Sequence, residues 1–127
     1  MTFQIVNPES LGRPSGWNHG LLGPAGGRVL FVAGQTAPAV TGFVAQWDAA
    51  LERVIAVVRA AGGSPEQIGR MTVYVTDRAA YLAGLKPLGE VHRRHMGKHY
   101  PAMALVEVKA LVDPQALVEI EATAVIP

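Results

Sequence analysis

Apolar and polar residues alternate strictly near the C-terminus of the chain. From residue 118 to residue 124 every second position is apolar, and Glu119, Glu121 and Thr123 stand between them. Because side chains at i and i+2 of a strand share a face, this order predicts a strand with one buried and one polar face. A second run precedes it across a turn sequence at 113–115. We therefore predict neighbouring strands over 102–111 and 117–126, with Glu119 on the polar face.

Apolar residues at a spacing of three and four mark a long helix in the first half of the chain. The stripe runs through 43–58 and includes Trp47, Leu51 and Ile55, and Gly62-Gly63 ends it. A second helical segment is predicted over 77–96. It contains the helix breakers Gly84, Pro87 and Gly89, so we expect two helical pieces rather than one rod.

Shorter strands are predicted before and between the helices. They cover a brief segment near the N-terminus, the apolar run at 28–33 and the alternating run at 71–76. A capping box with proline at its first helical position predicts a short helical turn at 64–67. The order predicts one α+β domain over 1–127, with two helices packed on one face of a mixed sheet.

The composition limits the kinds of partner that the chain is expected to have. Only 17% of the residues are charged, against roughly 25% in ordinary domains, so we expect a second copy to cover part of the surface. The net charge of +1 gives no field that favours nucleic acid or an acidic membrane. The chain has no cysteine, which excludes disulfides, thiol nucleophiles and thiolate metal sites. No leader or membrane segment is apparent, so a cytoplasmic location is expected.

Three sequence strings together carry a family resemblance. They are Val32-Ala33-Gly34-Gln35, the strand residues 72–77, and Tyr100-Pro101-Ala102 followed by the strand residues 118–122. In order and spacing they are similar to the Rid family of reactive-intermediate deaminases, also known as the YjgF family. The resemblance implies a chorismate-mutase-like α+β fold, a homotrimer with ligand clefts between subunits, and no cofactor.

The resemblance also implies a chemistry and a site. Rid deaminases hydrolyse 2-aminoacrylate and related enamine or imine acids to 2-keto acids and ammonia. In their Pro-Ala-Arg-Ser motif an arginine binds the substrate carboxylate, and a glutamate of the last strand places the water. That glutamate corresponds to Glu119, but Met103 stands at the arginine position. The expected pocket residues are Trp17, Ala33, Gly34, Tyr100, Ala102, Met103 and Leu105.

Each candidate residue has a structural alternative. Glu119 can be an ordinary exposed strand carboxylate, and Met103 can simply fill a gap in the core. His92, His95 and His99 share one helical face, but a break at Gly97 spoils the geometry of a metal site, so no metal is predicted. The basic residues around them suit a solvated helix end better than an RNA site.

Three functional hypotheses follow from the sequence. The first is a trimeric Rid-like protein that binds a small, partly apolar metabolite and hydrolyses an imine or enamine, with Glu119 as the catalytic residue. The second is a metabolite-binding or sensor protein without catalysis, favoured by the loss of the arginine. The third is an endoribonuclease, a label that some family members carry. The sequence leaves open whether Arg13 or Arg28 replaces the missing cation.

Overall fold

Residues 3–127, the part of the chain that the computed structural model describes, form six strands and three α-helices. In chain order these are β1 (Gln4–Val6), β2 (Gly20–Leu22), β3 (Arg28–Gln35), α1 (Phe43–Ala60), β4 (Ile68–Val75), α2 (Arg78–Ala83), α3 (Leu85–Met96), β5 (Ala102–Glu107) and β6 (Val118–Ile126). Short 3-10 turns lie at Glu9–Leu11 and Pro65–Gln67. The prediction of an α+β chain is confirmed.

The four longer strands form one mixed sheet in the order β3-β6-β4-β5. β6 pairs antiparallel with β3 and with β4, while β5 lies parallel to β4 at the edge. The prediction that the last two strands are neighbours is therefore wrong, because β4 lies between them. β5 is also shorter than the predicted run, since it ends at Glu107 and the chain then enters a loop.

One face of the sheet is buried under the helices. Along β6 every second residue is buried, beginning with Val118, and β4 shows the same alternation from Met71 to Val75. The apolar stripe of α1 packs on this face, with Leu51, Val54 and Val58 fully buried. The opposite face, which we call the open face, carries Glu119, Glu121 and Thr123 in β6, as the alternation predicted.

The second helical segment is divided in two, as predicted. Asp77 caps α2 by accepting hydrogen bonds from the backbone N–H groups of Ala79 and Ala80, and the helix ends at Gly84. Pro87 falls in the first turn of α3, where its missing N–H costs nothing. The predicted capping box is present, with Gln67 accepting from the backbone N–H of Ser64 at 2.6 Å, although the turn it starts is a 3-10 turn.

The N-terminal strands form a separate small sheet. β1, the predicted brief strand, pairs antiparallel with β2. The loop before β6 is tied down by the buried Gln46 of α1, which donates to the Gln115 carbonyl and accepts from the N–H of Leu117. Among the described residues no helix is both long enough and apolar enough to cross a membrane.

Candidate functional site

Glu119 lies on the open face, directly against Gly34. A Cβ added to Gly34 would lie 2.6 Å from Glu119 Oε2 and 2.7 Å from its carboxyl carbon. The carboxylate therefore rests over the glycine, and a larger residue at position 34 would displace it. Both Ala33 and Gly34 are exposed, so this corner of the sheet is accessible to a ligand in the single chain.

An irregularity in β3 creates this corner. Val32 pairs with Ala122, but the next paired residue on β3 is Gln35, opposite Ile120. Three steps along β3 thus match two along β6, which is the geometry of a β-bulge. Gln35 stabilises the bulge, since its side-chain amide donates to the carbonyl of Ala33 at 3.0 Å. The string that carries the family resemblance therefore has a structural role that alternation alone did not reveal.

A neighbouring carboxylate on the same face is already paired. The hydroxyl of Tyr74 donates a hydrogen bond to Glu121, and this bond together with burial raises the pKa of Tyr74. Glu119, which is in register with Tyr74, forms no side-chain hydrogen bond within the described residues. Its carboxylate is therefore available to a water or a ligand. Tyr74 was not among the predicted site residues, because its contact with Glu121, diagonal to its register partner Glu119, arises only when β4 pairs with β6.

A second group of predicted residues lines a cavity on the helix side of the sheet. This cavity has a volume of about 420 Å³, within the rough 300–1,000 Å³ range of small-molecule sites. Its wall comes from residues 15–17, from all three helices and from β5. We call it the aromatic cavity, and it is lined by Ser15, Gly16, Trp17, Trp47, Tyr81, Leu85, Leu88, Gly89, His92, Met103 and Leu105.

The aromatic cavity is uncharged. Within the described part of the chain its lining contains no lysine, arginine, aspartate or glutamate. The ring of Tyr81 stacks on Trp47 with centroids 5.8 Å apart. Burial lowers the pKa of His92, so this histidine is neutral at pH 7. Such a wall suits a flat, apolar ligand, because there is no fixed charge to balance an ion.

The predicted site residues thus divide into two groups within one chain. Trp17, Met103 and Leu105 belong to the aromatic cavity. Glu119 lies on the other face with Ala33 and Gly34, and so does Ala102, which pairs with the open-face residue Arg70. One chain therefore does not bring Glu119 and Met103 into a shared crevice. The sequence could not show this, because the face of Met103 follows from its pairing with the buried Met71 of β4, which itself pairs with the buried Ala122 of β6.

Tyr100 lies outside the aromatic cavity. It stacks on His92 with ring centroids 4.8 Å apart and lines a different cavity, of about 570 Å³, next to the N-terminal strands. Within the single chain it is therefore not part of the aromatic cavity wall. The residue supports the wall instead, because its ring packs against a histidine that the aromatic cavity does contain.

The two arginines considered as replacement cations lie elsewhere. Arg13 lines a third cavity with Asn7 and Glu9, and Arg28, at the start of β3, donates to the carbonyl of Pro127 at 3.4 Å. A different cation, Arg93, lies closer to the aromatic cavity. Its guanidinium folds back along α3, so that a Cβ added to the cavity residue Gly89 would lie 3.5 Å from Arg93 Nη1.

The histidines of α3 and the following loop do not converge. His92 Nε2 donates to the backbone carbonyl of His99, whose own Nε2 donates to the carbonyl of Ile68. His95 Nε2 instead donates to Asp48 Oδ1 at 2.6 Å. Among the described residues no group of three or more candidate ligands is placed to hold a metal ion. The three rings serve as separate structural hydrogen-bond donors.

Comparisons with known sequences and structures identify relatives that agree with one another. The family model for endoribonuclease L-PSP matches residues 15–126. A RutC family protein of Pyrococcus horikoshii is 34% identical over 105 residues, which cover 77% of this chain and 79% of the relative. The crystal structure of YyfB from Yersinia pestis, a Rid protein of unknown function, superposes with a TM-score of 0.83 at 30% identity and covers 99% of this chain and 100% of its own. The structure of TdcF from E. coli with bound serine superposes with a TM-score of 0.66 at 30% identity and covers 91% of this chain and 92% of its own.

Proposed function

Because this chain belongs to the Rid (YjgF) family, the group that the endoribonuclease L-PSP model describes, we propose that it hydrolyses the C=N bond of a small uncharged metabolite. The ligand occupies a cleft between subunits of a homotrimer. The aromatic cavity of one subunit forms one wall, and the Glu119 corner of the next subunit forms the other.

The uncharged cavity around Met103 carries this proposal. A ligand such as the serine bound to TdcF presents a carboxylate, which requires a cationic or strongly donating partner. The thioether of Met103 lies in the cavity wall at the position where the resemblance places an arginine, and a thioether cannot donate hydrogen bonds. Losing that partner weakens binding of a carboxylate by about 1.5–3 kcal/mol per hydrogen bond, so the site favours a substrate without one.

The open face supports assembly with further copies of the chain. Phe31 and Val29 of β3 are 80% and 57% exposed there, and Val106 of the edge strand is 44% exposed. Exposed apolar side chains on the two edge strands of an uncovered sheet face favour burial against a partner. Since the two halves of the predicted site lie on opposite faces, a second copy is also what completes it.

The hydrolysis uses one water molecule. Glu119 accepts a proton from the water while the hydroxyl oxygen bonds to the imine carbon and the C=N π electrons move to nitrogen, which takes up a proton. In the resulting carbinolamine the hydroxyl proton passes through Glu119 to the nitrogen, the C–N bond breaks, ammonia leaves and the oxygen forms the carbonyl. Overall, imine and water give carbonyl and ammonia, and the carboxylate is regenerated.

The experiment compares two substrates produced in situ. One is 2-aminoacrylate, and the other is the unsubstituted imine of acetophenone, which has no carboxylate. We expect the wild type to accelerate hydrolysis of the second, and Glu119→Ala to lose about 10²-fold or more of that rate, as is typical for removal of a general base. Met103→Arg is expected to shift the preference towards 2-aminoacrylate.

Glu121→Gln is the matched control, since it lies on the same strand and keeps a hydrogen-bond acceptor for Tyr74. It should retain the wild-type rate. If the wild type hydrolyses neither substrate faster than the uncatalysed background, the catalytic proposal is overturned. The second hypothesis, a metabolite-binding protein without catalysis, is then favoured. That hypothesis also rests on Met103, because loss of the cation removes the substrate clamp.

An endoribonuclease is the third hypothesis, since the matched family model carries that name. Its candidate surface is the larger cavity, where Arg59 and Lys98 supply positive charge beside His95 and His99. It predicts RNA binding that weakens steeply as salt rises. Binding of an uncharged metabolite, in contrast, should hardly change as the salt concentration rises.

A further inference from the structure

His92 is a polar residue of the aromatic cavity whose ring is held by two contacts. The ring stacks on Tyr100 with its plane tilted by only 1°. Its Nε2 is 2.8 Å from the backbone carbonyl of His99. A carbonyl can only accept, so Nε2 carries the proton. One face and one nitrogen of the imidazole are therefore fixed by the protein.

The other nitrogen of this ring remains free. In a neutral imidazole protonated on Nε2, Nδ1 is a hydrogen-bond acceptor, and the burial that lowers the pKa of His92 keeps the ring neutral at pH 7. Nδ1 has no hydrogen-bond partner within the described residues. Every fully buried side-chain nitrogen or oxygen in that part of the chain does have a hydrogen-bond partner. Nδ1 is therefore accessible, on a ring that lines the cavity.

The rest of the wall defines what such a ligand looks like. Trp17, Trp47 and Tyr81 offer aromatic surface, and Met103 and the leucines offer apolar surface. We propose that His92 selects the ligand by accepting, on Nδ1, a hydrogen bond from an O–H or N–H group of an uncharged aromatic compound. This inference rests on the proposed function insofar as it takes the aromatic cavity to be the ligand site.

The chain itself supplies the optical probe. Trp17 and Trp47 are its two tryptophans, and both line the cavity, so a bound ligand changes the intrinsic fluorescence. Three para-substituted toluenes are titrated. Para-cresol has a hydrogen-bond donor, para-methylanisole has none, and para-toluate is charged. We expect para-cresol to bind about fivefold more tightly than para-methylanisole, the value of one ordinary hydrogen bond, and para-toluate to bind most weakly.

His92→Phe keeps an aromatic ring against Tyr100 but removes the acceptor, so it should bind para-cresol and para-methylanisole equally. Glu90→Gln, on the exposed side of the same helix, is the matched control and should keep the preference. The nitrogen resonance of Nδ1 in the wild type gives a test without substitution. It should shift with para-cresol and not with para-methylanisole.

The outcomes separate the two proposals. If none of the three compounds changes the tryptophan fluorescence, the cavity is not a ligand site, and the proposed function fails. If para-cresol and para-methylanisole bind equally to the wild type and the Nδ1 resonance does not move, the cavity stands and the role of His92 is overturned. Tighter binding of para-toluate, lost in Arg93→Ala, would overturn the uncharged ligand class and assign the anion to Arg93.

Discussion

At the scale of single residues, the contact between Gly34 and Glu119 is the most informative. Gly34 has no positive φ, so its backbone tolerates a side chain, and the atoms that an added Cβ would meet belong to the end of the Glu119 side chain. A side chain at position 34 would therefore displace the Glu119 carboxylate, whereas the backbone fold itself does not need a glycine there.

This contact predicts that Gly34→Ala removes activity without unfolding the protein. The carboxylate of Glu119 can move aside, so the free energy of unfolding should change by less than about 1 kcal/mol, while imine hydrolysis falls as far as in Glu119→Ala. Urea denaturation and the imine assay measure the two quantities. In the double variant the second substitution should add no further loss of rate. An additive loss would show that Gly34 acts independently of Glu119.

Individual residues were only partly predictable from the sequence. Alternation placed Glu119 on the polar face, and the replacement of an arginine by Met103 was visible in the family motif. The division of the site between two faces was not, because it depends on strand order. His92 was considered only as a metal ligand, since its position in an aromatic wall and its bond to the His99 carbonyl arise from tertiary packing.

At the scale of elements, a small ionic cluster joins α1 to α3. Arg94 donates two hydrogen bonds to the carboxylate of Asp48, at 3.1 and 2.8 Å, and His95 donates a third. The hydrogen bonds from Arg94 and then from His95 lower the pKa of Asp48 to about 2. Because both helices contribute to the aromatic cavity, the cluster also fixes the relative position of two of its walls.

This cluster predicts a pH-dependent contribution to stability. A pKa that is lower in the folded than in the unfolded state means that the contribution is complete above the ordinary value of 3.8 and is lost as the pH falls towards 2. For a partly exposed pair we expect Asp48→Asn to cost about 1 kcal/mol at neutral pH. Urea denaturation should show this difference shrinking below pH 3.8. Glu90→Gln on the exposed side of α3 should show no such difference, and a difference that persists at pH 2 would contradict the assignment.

The elements themselves were the most predictable level. The stripe of α1, its end near Gly62 and the division of the second helix at Gly84 follow from local spacing and backbone preference. The end of β5 at Glu107 was missed, because the apolar run continues beyond it. Pairing decides where that strand stops, since its register with β4 extends only to Val75.

At the scale of the whole molecule, the open face is the surface that the single chain leaves uncovered. The proposed trimer buries it, and Phe31 is its most exposed large apolar residue. The low content of charged residues predicted a covered surface, but which face is covered follows only from the sheet.

The proposed assembly predicts that Phe31→Lys dissociates the protein. Since this side chain is 80% exposed, the fold of the monomer should be retained, and a charge placed in an apolar interface should oppose association. Light scattering would show a loss of mass from trimer to monomer, and far-ultraviolet circular dichroism would show unchanged secondary structure. Val112→Lys, in a fully exposed loop position, should leave the mass unchanged. A wild type that runs as a monomer at every concentration would refute the assembly.

The central place of β6 has a consequence for biosynthesis. β3 and β4 both need this strand as their hydrogen-bonded neighbour, yet it is synthesised after every other element described. Until translation has passed residue 126 and the segment has left the ribosomal exit tunnel, the two earlier strands expose unpaired edges and an apolar surface, which favour aggregation. A stop codon placed before residue 118 would therefore yield a nascent polypeptide that depends on chaperones and is degraded.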